Sequence, residues 1–180
     1  MGRWHDELVD WVSAAARNVP GHAGHRVRNR IVPYRNGRGV VVREGVHIDR
    51  PSRLTLGNNV SINRRCVINA NGGITIGDDV LIGPNVILYS QNHRFGEVAM
   101  LIRDQGYDQA PVTIERNVWI ASGVVVLPGV TIGEGSVIGA GSIVTRDIPA
   151  WSVAVGNPAR VVRNRRAPER EPAAAAQPPS

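Results

Sequence analysis

One histidine, His93, stands alone in the second half of the chain, preceded by Asn92. An imidazole titrates near neutrality, so His93 is a candidate for proton-transfer chemistry. All 21 basic residues are arginine, and they gather at the ends. Residues 1–38 hold seven against three acids and residues 159–171 hold five against two, whereas residues 39–158 hold nine against ten. A duplex-binding domain would display a basic stripe on its folded body. Basic ends suit a phosphate-bearing ligand or an anionic membrane surface instead, and the arginine fork matches phosphate oxygens. Cys66 is the single cysteine, which excludes an internal disulfide, and no Cys/His cluster has structural zinc spacing. A reducing cytoplasm is the simplest reading of that cysteine usage, and no segment reads as a secretory signal or a membrane span.

These groups need a scaffold, and 180 residues allow one domain with appendages. Aromatics are only 4% of the chain, beside 20 glycines and 12 prolines, so the core must be built from Val, Ile and Leu. Those residues recur every six positions: Leu56, Ile62, Ile68; Ile76, Ile82, Leu88; and Ile114, Ile120, Val126, Ile132, Ile138, Val144. Four residues after most of them comes a small or β-branched residue, among them Val60, Cys66, Val80, Val86, Ser136 and Ser142. One residue after them glycine recurs, at Gly57, Gly77, Gly83, Gly133 and Gly139. A hexad of this kind predicts a short strand followed by a tight corner where glycine tolerates a left-handed backbone. Three such sides close a triangular coil, and coils stack at the ~4.8 Å spacing of paired strands.

The repeat breaks twice. From Ile68 to Ile76 the step is eight, which predicts a widened corner at Asn71, Gly72 and Gly73. From Leu88 to Ile114 it is 26, so an excursion of residues 94–113 leaves the coil and returns. Long excursions from a regular scaffold are commonly functional, and His93 opens this one. Five to six turns are expected within a repeat domain of residues 39–162. Before it, residues 1–38 read as a helix and a basic segment. Trp4, Leu8, Trp11, Val12 and Ala15 share one helical face, with Asp6 and Glu7 near its start and Arg17 near its end. After it, residues 163–180 read as a basic stretch and then a Pro/Ala-rich disordered tail.

The segments Ile76-Gly77-Asp78-Asp79-Val80-Leu81-Ile82-Gly83-Pro84-Asn85-Val86, Asn92-His93, Val118-Trp119-Ile120-Ala121-Ser122-Gly123, the run from Val137 to Thr145, and Gly156-Asn157-Pro158-Ala159-Arg160 resemble the hexapeptide-repeat acyltransferases. The likeness covers roughly residues 40–163 and is nearest to galactoside and maltose O-acetyltransferases and to acetyltransferases of capsule, colanic acid and O-antigen synthesis. The resemblance implies an all-β fold, a left-handed parallel β-helix of hexapeptide repeats with a short N-terminal helix and an extruded loop. It also implies a homotrimer with sites between subunits, association that suits a narrow solenoid with exposed faces.

Carried over by resemblance, His93 is the general base that lets a sugar hydroxyl attack acetyl-CoA directly, and the Ser122 N–H stabilises the oxyanion. Coenzyme A would meet Ala140, Thr145, Arg146, Arg160 and Arg163, with Trp119 against its pantetheine arm. Arg146 stands where the family often has lysine. The acceptor side departs from the pattern: Arg65 and Asn71 occupy positions of an Asn and an Asp, with Asn63, Asn69 and Asn92 as alternative polar groups. Ile102-Arg103-Asp104-Gln105-Gly106 inside the excursion is reminiscent of polysaccharide-modifying members. No metal is expected, because a zinc carbonic anhydrase on this helix needs three histidines and the coil offers His47 and His93. The competing reading is a non-catalytic β-helix scaffold protein. Nucleic acid is not an expected partner. The N-terminal helix reads as a cap on the first coil, with a peripheral membrane helix as the alternative, and the basic segment from Arg26 to Arg38 leaves open peripheral contact with an anionic membrane.

Overall fold

Where the hexad sets a β-branched residue or leucine between polar neighbours, the chain forms strands of two or three residues. The computed structural model describes residues 11, 12 and 14–167. Its strands lie on three parallel faces that together wrap a prism. The first face stacks Arg35–Asn36, Leu54–Leu56, Ile74–Ile76, Val112–Ile114 and Thr131–Ile132. The second stacks Val41–Val42, Ser61–Ile62, Leu81–Ile82, Trp119–Ile120, Val137–Ile138 and Ser152–Gly156, with Ala159–Asn164 folded back antiparallel on its edge. The third stacks His47–Asp49, Val67–Asn69, Ile87–Tyr89, Val125–Val126 and Ile143–Val144. Five turns are complete, and a sixth begins where Ile148 bridges to Ile132.

Register carries each inward residue onto the next. Ile62, Ile82, Ile120 and Ile138 pair in one column and Ile68, Leu88, Val126 and Val144 in another. All twelve in-phase aliphatics are buried, as are the small residues four positions on. Each fully buried isoleucine or leucine contributes about 1.5–3 kcal/mol. Ser136 and Ser142 bury hydroxyls in place of methyl groups and donate them to Pro149 O and Gly139 O at 2.9 and 2.7 Å.

The left-handed backbone falls elsewhere than expected. It sits three residues after the inward aliphatic, at Asn59, Arg65, Asp79, Asn85, Asn117 and several glycines. The glycines one residue after the aliphatic answer a different demand, close approach of the next coil. A Cβ on Gly77 would stand 2.8 Å from the Arg116 backbone nitrogen, and one on Gly83 would stand 2.8 Å from that of Ser122.

Four boundaries also move. The coil begins at Arg35, not at residue 39, and its last strand runs through Asn164, so Arg163 is part of the sheet. The excursion starts and ends earlier than residues 94–113: Gln91–His93 already stands in an antiparallel arm, while Val112 is back in the coil opposite Ile74. An unexpected helix, α1 (Gly21–Ile31), lies beside Val41–Val42. Its fastening is polar, which explains why apolar periodicity missed it. Buried Arg28 donates from Nε to Val42 O at 2.9 Å and from Nη1 to Ala16 O and Val19 O at 3.0 and 2.7 Å. Of the helical face expected before it, Trp11, Val12 and Ala15 are exposed and the small Ala16 is the buried contact. Trp4, Leu8, Asp6 and Glu7 lie outside the described residues, as does the tail from 168 onward.

Candidate active site

The corner between the third face and the next coil is where the chain departs from its repeat. Buried Ser90 closes the neck of the excursion: its hydroxyl donates to Asn69 O at 2.7 Å and accepts the Gly72 N–H at 2.8 Å, and Ala110 N–H donates to Ser90 O at 3.0 Å. Gly72 can be nothing larger, because a Cβ there would lie 2.1 Å from Ser90 O. Above the neck Gln91–His93 pairs with Tyr107–Gln109, setting His93 opposite Tyr107 with ring centroids 4.3 Å apart. His93 is exposed and outside the prism, held from one side by the tyrosine ring and below by the backbone bond from Arg94 N–H to Gly106 O at 3.0 Å. The Arg94–Asp108 pair at 2.6 Å ties the two arms, and Gln105 knits the loop by donating to Glu97 O and Met100 O at 2.8 and 2.9 Å. An open cavity lies between Phe95, Met100, Gln105 and that ion pair.

Polar groups converge on the same corner from below. Asn71 donates from its side chain to Asn69 Oδ1 at 3.1 Å, and its carbonyl accepts from Arg53. Arg53 also reaches Gln109 Oε1 at 3.3 Å, and Gln109 donates to Gln91 Oε1 at 3.2 Å. Asn69, Asn71, Asn92 and His93 therefore share one corner, and Thr145 and Arg146 stand on it two coils further up, all of them reached by solvent.

The other candidates lie elsewhere on the prism. Ser122 and Ala140 stack on the corner between the second and third faces, joined by Gly141 N–H to Ser122 O at 2.9 Å. Ala121 and Gly123 donate their N–H groups to Ile138 O and Pro84 O, whereas the Ser122 N–H donates to no other described residue. Asn63 and Arg65 flank that corner lower down, Asn63 accepting the Arg64 N–H at 2.8 Å and Arg65 held at a left-handed φ of 59°. Beside them Arg64 bonds Glu44 and holds its carboxyl below the usual carboxylate range. Trp119 is half exposed on the second face next to Leu81. Arg160 and Arg163 are exposed on the final antiparallel strand. The acceptor candidates are thus split, Asn71 and Asn92 on one corner and Asn63 and Arg65 on another. So are His93 and Ser122, with the third face between them.

Tyr107, Arg53 and Gln109 escape a sequence reading. Their neighbours are set by antiparallel closure of the loop and by contacts across coils, which no spacing announces. Among the described residues no three His, Cys, Asp or Glu side chains are grouped to hold a metal ion, and no helix is long and apolar enough to cross a membrane.

Residues 111–146 match the bacterial transferase hexapeptide (six repeats) family. Nodulation protein L of Rhizobium leguminosarum bv. viciae is 46% identical over 134 residues, covering 74% of this chain and 69% of the relative. Among solved structures, a galactoside acetyltransferase in complex with coenzyme A is 36% identical with a TM-score of 0.80, over 88% of this chain and 79% of that one. A hexapeptide-repeat acetyltransferase from Vibrio cholerae O1 biovar eltor, complexed with acetyl coenzyme A, is 28% identical with a TM-score of 0.77, over 88% and 85%.

Proposed function

The chain belongs to the hexapeptide-repeat acetyltransferases, enzymes built on a left-handed parallel β-helix, and from that premise we propose that it moves an acetyl group from acetyl-CoA to a sugar hydroxyl. His93 takes the hydroxyl proton as the acceptor oxygen attacks the thioester carbonyl. The carbon–sulfur bond then breaks, and coenzyme A leaves with its sulfur protonated by the imidazolium. The tetrahedral intermediate places negative charge on the former carbonyl oxygen, for which the Ser122 N–H is the donor; a preplaced donor of this kind is worth on the order of 10²–10³ in rate.

The observation that carries this reading is the division of labour between corners. His93 stands on one corner, Ser122 and Ala140 on another, so the base of one protomer and the oxyanion donor of a neighbour face a common substrate when prisms pack side by side. A homotrimer satisfies that requirement with three equal sites. Coenzyme A lies in the slot between prisms, its arm along Trp119 and Ala140, and Thr145, Arg146, Arg160 and Arg163 receive its phosphates. Asn71 and Asn92 beside His93, with Asn63 and Arg65 from across the slot, hold the acceptor, a glycoside, lipid-linked precursor or polysaccharide. The cytoplasm is the setting, where the donor is found and where the buried single thiol of Cys66 needs no partner.

Calorimetric titration of the purified protein with acetyl-CoA tests the proposal. Saturable binding at one site per chain is expected, weakened by Arg160→Ala and unchanged by His93→Ala. A folded protein that takes up no acetyl-CoA would overturn it and leave a non-catalytic scaffold.

A further inference from the structure

The first coil ends the prism: each of its strands has a parallel partner on one side only, and helix α1 is fastened on the other side of Val41–Val42. Arginines surround this end. Arg35 and Arg38 stand on the first strand and the corner after it, Arg43 at the next corner, and Arg50 at the last, all exposed. Helix α1 adds Arg26 and Arg30, one turn apart on the face that also exposes His22, away from buried Gly24 and Arg28. Residues 14–53 contain two carboxylates, Glu44 and Asp49, and both are engaged, by Arg64 and by His47. Among the described residues none of the six arginines has a carboxylate partner. Exposed apolar side chains sit on the same segment: Trp11, Val12, Val19 and Ile31.

We infer that this end of the molecule is a docking surface for an anionic lipid bilayer. Unpaired arginines answer lipid phosphates and carboxylates, each near-surface cation strengthening attachment about five-fold. Tryptophan and aliphatic side chains among the cations are what a headgroup layer accepts and a nucleic-acid groove does not require. The body of the prism argues for the same choice: in residues 54–158 six arginines face eight carboxylates, and the arginines of the other end include Arg160 and Arg163, which the proposed function gives to coenzyme A. The inference stands apart from the catalytic reading, because none of these residues belongs to the proposed site.

The test is co-sedimentation with vesicles of one-third phosphatidylglycerol and two-thirds phosphatidylcholine at about 0.1 M salt, where charges further apart than ~10 Å are screened. Retention is expected on these vesicles and not on pure phosphatidylcholine. Arg26→Glu with Arg30→Glu is expected to weaken it about 25-fold or more, with the acetyl-CoA titration and the melting transition unchanged. Arg35→Glu with Arg38→Glu repeats the measurement on the coil, should the helix pair disturb folding. Equal retention of both double variants would overturn the inference, as would duplex DNA binding more tightly than the vesicles and losing that binding in the same variants.

Discussion

The corner between the first and second faces and the corner between the third face and the next coil are built from one chain under opposite rules. At the first, the inward residue is always followed by its successor six positions on, from Leu56 to Ile62, Ile76 to Ile82, Ile114 to Ile120, Ile132 to Ile138 and Ile148 to Ala154. A left-handed residue recurs there in all six coils, at Gly39, Asn59, Asp79, Asn117, Gly135 and Trp151. Side chains stitch each level to the next: Asp78 accepts the Asn58 N–H at 2.6 Å, Asn59 donates to Asp79 at 3.0 Å, and Arg116 pairs with Glu134 at 3.0 Å. At the other corner the step is eight from Ile48 to Leu56 and from Ile68 to Ile76, 26 from Leu88 to Ile114, six from Val126 to Ile132 and four from Val144 to Ile148. At the first corner the side chains named are spent on one another from level to level. Unequal corners leave polar backbone and side chains beside one another without completing a ladder, and His93 rises from that disorder of lengths.

The largest effect expected from this contrast is catalytic. His93→Ala should lower turnover on the order of 10²–10⁴-fold, the share a general base supplies, with the unfolding midpoint unmoved because the imidazole is exposed and outside the core. Steady-state assay of coenzyme A release beside a denaturant titration measures both; a variant with most of its turnover would take the base role from His93. A matched glycine pair comes next. Gly72→Ala drives a Cβ to 2.1 Å from Ser90 O and displaces the neck on which the His93 arm stands. A misplacement of about 1 Å costs roughly 10²-fold in rate. Gly77→Ala meets the Arg116 nitrogen at 2.8 Å on the regular corner. It should cost about 1–3 kcal/mol of stability by overpacking while the folded protein keeps its turnover. Equal loss of rate in the two variants would erase the distinction between the corners.

The same distinction governs what a sequence reading reaches. The columns through Ile62, Ile68 and Ile82 are legible because one geometric unit is written repeatedly, and the widened corner at Asn71–Gly73 is legible as a departure from it, with Gly73 at φ +93°. Hexad counting nevertheless places His93 at the end of a coil strand, when it belongs to an antiparallel arm, and leaves Val112 in the loop, though it is fully buried opposite Ile74. Hairpin arms of alternating polar residues have no six-fold beat to lose. The candidate side chains are recognisable one by one from their motifs. Which of them share a corner depends on register across steps of eight and 26, and the partner of His93, Tyr107, depends on how the loop closes.

Acidification distinguishes the corners more finely. Asn58 holds the Asp78 carboxyl below the usual carboxylate range, chiefly through its backbone N–H and then through its side-chain amide. A group whose folded pKa is depressed lends stability that is present above its unfolded pKa and lost as pH falls through the folded one. Asp78→Ala should therefore melt below the wild type at neutral pH, with the two curves converging at acid pH. A gap that stays constant with pH would mean that the ladder acts through packing and not through charge.

The smallest effect belongs to the remaining regular corner, where Cys66 fills the small position between Val46 and Val86. Cys66 is 1% exposed, its thiol points at Gly83 O, 3.2 Å away, and burial pushes its pKa from 9.0 up to about 11. With the folded value raised, the neutral thiol is favoured in the folded state, so its contribution is complete below the unfolded pKa and is lost as pH rises from about 9 to about 11. Tyr34, whose pKa burial also raises, acts in the same direction, so the informative quantity is the difference between wild type and Cys66→Val. That variant copies the residue above and below it in the column, and near neutrality should lie within about 1.5 kcal/mol of wild type. Above pH 9 it should lose less stability. Parallel alkaline curves, or rapid alkylation of the native thiol at neutral pH, would show that this corner is not closed around the thiol.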